Sequence, residues 1–278
     1  MASKLQTIHA GPLRETAPVA FPAQSSFLEE FGLKFSSGSG HTSRTIMLTE
    51  LQTLLAEVPF GSSKSDYRSA VLDKNILGKA TTTTRAKSLR YLRELYGCDE
   101  SLPIFKLLRK LYAIDATSLT LLAIQVAWSR DQLLRATFIQ IKSASIGQRV
   151  DASTLEPIIE AAFPSQYSQL GQKKIARNTS SSWSQSGHLT GGTNKKTRQL
   201  IQPTAVAVTM ALLLGQVSGS SGAAVFASPW CELLDLNADQ ARRMGLEAHR
   251  AGLVNLRAIG DVVELSFPLF ADIQGPAS

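Results

Sequence analysis

A run of 71 residues, from 161 to 231, contains no aspartate or glutamate but holds six lysines and arginines. These six supply +6 of the chain's formal net charge of +7, and they are Lys173, Lys174, Arg177, Lys195, Lys196 and Arg198. The same run has the pattern of a helix, a glycine stop and a two-stranded hairpin, which is the outline of a winged helix-turn-helix. Because ordinary soluble surfaces mix both signs of charge, a stretch cleared of carboxylates indicates a polyanionic partner.

The composition favours a folded, soluble, basic protein. An apolar content of 44% in 278 residues is enough for a core, and a pI near 9.5 is typical of proteins that bind nucleic acid. Cys98 and Cys231 are far apart and have no metal-spaced partner, which predicts reduced thiols. The first 26 residues lack the apolar run of a secretory signal, and Ala205–Leu214 is about half the roughly 20 residues that cross a bilayer. We therefore expect a cytoplasmic protein with no membrane contact.

The first half of the chain predicts an arm followed by a helical domain. Residues 1–42 are rich in Pro, Ser and Gly, which predicts a flexible N-terminal arm. An apolar patch within the arm would dock on a partner or, as we favour, on the body of the protein; it contains Phe27, Leu28, Phe31, Leu33 and Phe35. Residues 43–146 predict an N-terminal helical domain with a helix-turn-helix, in which helices cover about 46–58, 66–76, 81–96, 102–112, 119–128 and 132–141.

Residues 147–278 predict one or more C-terminal winged-helix domains. A helix begins at Asp151 or Ser153 and ends before Pro164, and a second covers 170–185 and ends at Gly187. Short strands at 188–190 and 197–201 precede an apolar helix over 204–217. A helix over 237–251 and strands at 253–257 and 262–267 repeat the helix–hairpin order. The predicted fold is mainly α, a helical bundle whose helix-turn-helix and winged-helix elements carry small β-hairpins.

The helix over 170–185 has one cationic, hydroxyl-rich face in this pattern. Spacings of three and four place Lys174, Arg177, Ser181 and Ser184 together, while Ile175, Thr179 and Trp183 share the opposite face. Lys173 and Asn178 lie on the same helix, and Lys195, Lys196 and Arg198 on the hairpin would grip the flanking backbone. The alternative, a solvated basic helix beside a polar loop, does not explain the missing carboxylates.

A second basic cluster lies on the predicted helix over 81–96. The candidate nucleic-acid-binding residues there are Lys79, Arg85, Lys87 and Arg90, and the order of helix, glycine turn and helix is that of a recognition unit. Basic helices that begin with threonines also occur in proteins that bind no nucleic acid, so this site stays an alternative to an ordinary solvated helix.

The sequence predicts no active site, no metal site and no cofactor. His9, His41, His188 and His249 are scattered, and none pairs along the sequence with a carboxylate or cysteine as an activated nucleophile. The Gly/Ser loop at 218–222 lacks the Gly-Lys-Ser/Thr ending of a P-loop, and the most polar region lacks the carboxylates of a two-metal nuclease.

Two segments carry a resemblance to a known family. The segment from Lys174 to Leu189 reads Ile-Ala-Arg-Asn-Thr-Ser-Ser-Ser-Trp-Ser-Gln-Ser-Gly-His-Leu after its lysine and leads to a basic hairpin. The segment Ser43-Arg44-Thr45 precedes Leu48-Thr49-Glu50-Leu51, and Tyr67–Asn75 follows. Across roughly 43–270 the chain resembles the BrxA family of the BREX bacteriophage-defence systems. The resemblance implies a mostly helical, cytosolic protein that binds double-stranded DNA without catalysis and works beside a methyltransferase, an ATPase and a phosphatase-like partner.

We therefore expect a non-catalytic, double-stranded DNA-binding component of a BREX-type defence system, whose partners are duplex DNA and other defence proteins. Two alternatives stay open at this point: a helical protein that binds RNA through the same basic faces, and an adaptor whose basic faces meet acidic proteins. The chain lacks the exposed, interleaved aromatic residues that stack on single strands, which favours duplex DNA.

Overall fold

The computed structural model describes residues 25–35, 39–192, 195–259 and 262–273. Within these residues the chain is mainly helical, which confirms the predicted fold class at that level. The α-helices are α1 (Ser25–Phe31), α2 (Leu48–Glu57), α3 (Lys64–Leu72), α4 (Thr82–Tyr96), α5 (Pro103–Ile114), α6 (Leu119–Arg130), α7 (Gln132–Ser143), α8 (Ala152–Ala162), α9 (Gln169–Gln185), α10 (Ala205–Val217), α11 (Pro229–Leu233) and α12 (Ala238–Arg250). The strands β1 (Leu189–Thr190) and β2 (Thr197–Arg198) form one antiparallel hairpin, and β3 (Asn255–Ile259) and β4 (Val262–Ser266) form another.

Local capping signals fix several helix ends where the sequence predicts them. Thr81 accepts a hydrogen bond from the backbone N–H of Thr84 at 3.1 Å and so begins α4, and Gly97 ends it with a φ of 89°. Asn237 and Gln240 form a reciprocal capping box at the start of α12. Each of these signals depends on residues within one turn, which is why the sequence alone identifies them.

The N-terminal segment differs from the predicted flexible arm. Residues 1–24 and 36–38 lie outside the described residues, but Ser25–Phe31 is helical and Leu28, Phe31 and Leu33 are buried. Three of the five patch residues therefore dock on the body of the protein, as we favoured, since their burial removes apolar surface from water, whereas Phe27 stays exposed. Lys34 also links this segment to α6, because its backbone N–H donates to the carbonyl of Ser129 at 3.1 Å.

The apolar helix α10 lies in the interior, where it packs against α5, α6 and α12. Ten consecutive residues from Val206 to Gly215 are buried, which confirms the predicted core helix. Within the described residues no single helix is long and apolar enough to span a membrane; α10 with the segment Gly222–Leu233 reaches that length only as a pair bent by 118°.

The helices α7, α8 and α9 pack together and position a small three-stranded arrangement. Residues 147–150, between α7 and α8, run antiparallel to β2, and Arg149 pairs with Thr197. The backbone N–H of Val150 donates to the carbonyl of Lys196 at 2.9 Å, and that of Arg198 donates to the carbonyl of Gln148 at 2.9 Å. Strand β2 is therefore flanked by β1 on one edge and by residues 147–150 on the other.

Candidate nucleic-acid interface

Helix α9 presents the cationic face that the sequence predicts. Ser168 begins the helix by accepting from the N–H of Gly171 at 3.2 Å, and Gly187 follows it with a φ of 85°. The cations on its outer face are exposed, the serines there are half-buried, and the face contains Lys173, Lys174, Arg177, Ser181 and Ser184. In the described part of the chain, none of the three cations forms an ion pair with a carboxylate.

The opposite face of α9 is the packed face. Ile175, Thr179 and Trp183 are all buried, as their spacing predicts. The indole N–H of Trp183 donates to Thr137 Oγ1 on α7 at 3.0 Å, and its ring lies 5.7 Å from that of Phe138, centroid to centroid. This packing fixes the rotation of α9 about its own axis, and thereby turns the lysines and Arg177 outward.

Two of the predicted contact residues, Arg198 and Asn178, form contacts within the protein, and a third, Lys196, is buried. Arg198 is 3% exposed; its Nε donates to the carbonyl of Ile141 at 2.8 Å, and its terminal nitrogen is paired with the carboxylate of Asp235. Lys196 is buried as well, and burial lowers the pKa of its ammonium group. The Asn178 amide donates to the carbonyl of His41 at 2.8 Å. The prediction that Lys196 and Arg198 grip nucleic acid from the hairpin is therefore wrong, and Lys195 is the hairpin cation that stays exposed.

The second predicted cluster also contains both residues with contacts inside the protein and residues that are exposed. Lys79 pairs with Glu50 at 2.9 Å, and Arg85 donates to the carbonyl of Leu72 at 3.1 Å, so both hold the turn before α4 in place. Lys87 and Arg90 are exposed, and the guanidinium of Arg90 lies over the ring of Tyr91 at 4.5 Å from its centroid. The structure therefore leaves these two as the accessible cations of the four.

The sequence analysis missed a third basic face, on α12. Three exposed arginines lie there at helical spacing, and they are Arg242, Arg243 and Arg250. None of them forms an ion pair among the residues described. The spacing within the predicted helix could have identified this face, but Asp239 and Glu247 on the same helix make the local charge balance unremarkable.

A buried polar chain joins the N-terminal segment to α7 and α9, and the sequence analysis missed it too. His41 Nδ1 lies 2.8 Å from Asp131 Oδ2, and His41 Nε2 lies 2.8 Å from Ser182 Oγ. His41 thus pairs with a carboxylate in the folded chain, although no carboxylate lies near it in the sequence. No local signal could have found this pair, because 90 residues separate the two side chains in sequence.

Asp131 contacts His41 and His41 contacts Ser182, which is the order of a hydrolase triad. All three side chains, however, lie inside the core. Each of the three residues is at most 1% exposed. The Ser182 hydroxyl also donates to the carbonyl of Asn178 at 3.0 Å and accepts from the N–H of Ile46 at 3.0 Å. A nucleophile must reach the substrate carbonyl, and this hydroxyl is instead committed to backbone groups within the core.

Burial and hydrogen bonding oppose each other at Asp131. Burial raises the pKa of this carboxyl group, whereas the charge and hydrogen bond of His41, with hydrogen bonds from Ser39 and from the N–H of Leu134, lower it. The balance places the pKa at about 2, so the carboxylate is ionised in the core. Among the described residues, no group of three or more His, Cys, Asp or Glu side chains is arranged to hold a metal ion.

Comparison of the chain with protein-family models and with curated proteins finds no match.

Proposed function

We propose that this chain binds double-stranded DNA without catalysing a reaction, and that α9 is the element that enters the groove. The observation that carries this proposal is the outer face of α9, where Lys173, Lys174 and Arg177 are exposed and form no ion pair with any carboxylate that the structure describes. An α-helix about 10–12 Å across fits the B-DNA major groove, which is about 12 Å wide. The half-buried serines beside the cations are small enough for close approach and can hydrogen-bond to phosphates or base edges.

The order of elements from α7 to β2 supports a winged helix-turn-helix for this unit. Helix α7, the strand-like residues 147–150, α8, α9 and the hairpin β1–β2 follow one another in the order of such a fold. In this assignment α9 is the recognition helix, and the turn between β1 and β2 is the wing, with Lys195 as its cation. The buried Arg198 holds the wing to α7 and to Asp235.

The unit formed by α12 and the hairpin β3–β4 offers a second contact surface. It repeats the helix–hairpin order, and Arg242, Arg243 and Arg250 are exposed on its helix. Two basic helices on one chain would lengthen the duplex site and raise the number of phosphate contacts. The acidic neighbours Asp239 and Glu247 weaken the field of this helix relative to that of α9.

We further propose that the protein acts in a BREX-type phage-defence system, in the cytoplasm and beside other defence proteins. The support is the resemblance carried by the Arg177-Asn178 to Leu189 segment, together with the mainly helical fold that the resemblance implies. Co-purification of the tagged full chain from its native host, followed by identification of the bound proteins, tests this assignment. Recovery of a DNA methyltransferase and a large ATPase is expected; their consistent absence would contradict it.

Binding of a labelled duplex at a series of salt concentrations tests the DNA-binding proposal. The four exposed cations of α9 and the wing predict a slope of log K against log salt of about −3.6, at about −0.9 per phosphate contact. Contacts from α12 would make the slope steeper. A slope shallower than about −2 would contradict the proposal.

Two variants and two competitors sharpen this test. Arg177→Ala removes a cation from the proposed face and should weaken duplex binding, whereas Lys106→Ala removes one that is paired with Asp272 at 2.8 Å and should leave it unchanged. Structured RNA of equal charge and an acidic protein serve as competitors. Preference for the RNA, or displacement of the duplex by the acidic protein at equal concentration, would favour the RNA-binding or adaptor function instead.

A further inference from the structure

An open pocket of about 350 Å³ lies between α3, α4 and the segment that follows α1. Three of its lining residues, which we call its floor, are apolar: Leu72, Ala86 and Leu89. Its wall is basic and is formed by Lys34, Arg68, Arg90 and Arg93, with Glu94 as the acidic residue among the lining side chains. The docked N-terminal segment completes this pocket, because Lys34 comes from that segment and the other lining residues come from α3 and α4.

The lining cations of the pocket outnumber its lining carboxylates by four to one. None of them forms an ion pair with a carboxylate among the described residues, Glu94 included. Arg90 donates to the hydroxyl of Tyr91 at 2.6 Å, which leaves its charge uncompensated. Four cations around one concave surface repel one another, so an anion placed among them would stabilise the arrangement.

Arg93 has a free donor in this arrangement. Its Nε is buried and has no hydrogen-bond partner, and a terminal nitrogen reaches the carbonyl of Lys64 at the long distance of 3.4 Å. A buried donor without a partner costs free energy, and a bound water or ion beside Arg93 would remove that cost. A guanidinium has several donors in a fixed plane, and two of them can bind one phosphate.

A fifth positive charge lies behind the pocket. Arg130 is 5% exposed and donates to the carbonyls of Glu94 at 3.1 Å, Arg93 at 3.3 Å and Gly32, and among the described residues it forms no ion pair with a carboxylate. Burial, together with the charge of Arg130, lowers the pKa of the Lys34 ammonium group. The carboxylates of Glu94 and Asp131 oppose this shift, but neither forms an ion pair with a cation of the pocket among the described residues.

We propose that this pocket binds a small organic phosphate of the nucleotide class, with its phosphates among Lys34, Arg68, Arg90 and Arg93 and its organic part against Leu72, Ala86 and Leu89. The pocket volume is at the lower end of the range of small-molecule sites, about 300–1,000 Å³. An apolar floor beside a cluster of cations fits a ligand that has a flat, weakly polar part and a strongly charged part. Inorganic phosphate would satisfy the cations only, and a nucleoside would satisfy the floor only.

Isothermal titration of the full chain with ADP tests this proposal, with adenosine and inorganic pyrophosphate as the two partial ligands. Saturable binding of ADP at near-physiological salt, tighter than that of either partial ligand, is the expected result. Equal binding of pyrophosphate and ADP would overturn the nucleotide assignment, and absence of saturable binding by both would overturn the site.

Matched variants locate the binding. Arg93→Gln and Arg68→Ala should each weaken ADP binding by about tenfold or more, whereas Lys87→Ala, an exposed cation of α4 that does not line the pocket, should leave it unchanged. An equal loss in all three variants would show that ADP responds to general positive charge, and would overturn the proposal. Circular dichroism and thermal melting verify that each variant is folded.

The nucleotide site and the DNA-binding function can fail separately. Arg177→Ala should weaken duplex binding and leave ADP binding unchanged, because Arg177 lies on α9 and not in the pocket. If the pocket variants lose duplex binding while ADP fails to bind to the unmodified protein, the pocket holds a phosphate of the DNA backbone and the nucleotide proposal is wrong.

Discussion

His41 and Asp131 are joined across 90 residues of sequence by a 2.8 Å contact between Nδ1 and Oδ2, and both are buried. Asp131 also begins α7, because one of its carboxylate oxygens accepts from the N–H of Leu134 at 3.1 Å. His41 in turn contacts Ser182 on α9. The docked N-terminal segment is therefore attached both to α9, the proposed recognition helix, and to α7, on which α9 packs.

Asp131→Ala should destabilise the protein strongly. It leaves His41 buried without its carboxylate and removes the cap of α7, and loss of one partner of a buried ion pair costs about 3–5 kcal/mol. Urea denaturation followed by circular dichroism measures the change in the free energy of unfolding. Asp115→Ala is the control, because Asp115 caps a short helical turn at the surface and should cost about 1 kcal/mol. Equal losses in the two variants would contradict the role of the buried pair.

Arg198→Ala should lower the stability of the protein, and it should not remove a contact with a DNA phosphate. It leaves the largely buried carboxylate of Asp235 without its partner and removes the hydrogen bond to the carbonyl of Ile141, at an expected cost of about 3–5 kcal/mol. Lys195→Ala, on the exposed turn of the same hairpin, should change the free energy of unfolding by less than about 0.5 kcal/mol and weaken duplex binding. An Arg198→Ala protein that melts like the unmodified chain but no longer binds DNA would restore the original prediction for this residue.

The protein should become less stable as the pH is lowered, because His188 is buried. Burial lowers the pKa of this imidazole from 6.5 to about 4; a hydrogen bond to the carbonyl of Leu233 and the charge of Asp235 oppose the shift, and Arg198 adds to it. Below about pH 6.5 the unfolded chain takes up a proton that the folded chain does not, so stability is lost as the pH falls towards about 4. The expected loss is about 2 kcal/mol between about pH 7 and about pH 5.

His188→Gln provides the test of this pH dependence. Urea unfolding at several pH values should show a flatter curve for the variant than for the unmodified protein over that range, even though the variant is less stable at neutral pH. Its shallower slope is the diagnostic result, because a purely structural loss would displace the curve without changing its slope. Parallel curves would show that His188 does not titrate differently in the folded and unfolded chains.

The elements that the sequence predicts best are those determined by signals within one or two turns. The rotation of α9 follows from the spacing of Ile175, Thr179 and Trp183, and its end follows from Gly187. The side chains of Lys196 and Arg198 could not be placed, because strands of two residues have no measurable alternation. The partner of Arg198 is Asp235, 37 residues further along, and that contact exists only in the folded chain.

The prediction of a flexible arm does not hold for residues 25–35, for a related reason. Its composition is that of a flexible segment, but three buried apolar side chains outweigh the polar composition between residues 25 and 35. The pocket beside α4 could not be predicted from the sequence either, because it brings together Lys34, Arg68 and Arg93, which are distant in the chain.

Arg177 and Trp183 lie within two turns of α9 and should give opposite phenotypes when replaced. Trp183 is fully buried and donates to Thr137, so Trp183→Ala should cost about 3–5 kcal/mol of stability through the cavity it leaves. Arg177 is exposed, so Arg177→Ala should leave the melting temperature nearly unchanged and weaken duplex binding.

Thermal melting and duplex affinity, measured for both variants at a temperature where each is folded, separate the two roles. For Trp183→Ala, affinity per folded molecule should match that of the unmodified chain, because the cationic face is retained. A Trp183→Ala variant that melts normally yet fails to bind DNA would mean that the aromatic ring itself contacts the duplex. The rotation of α9 derived from its packing on α7 would then be wrong, and with it the assignment of Lys173, Lys174 and Arg177 to the DNA-binding face.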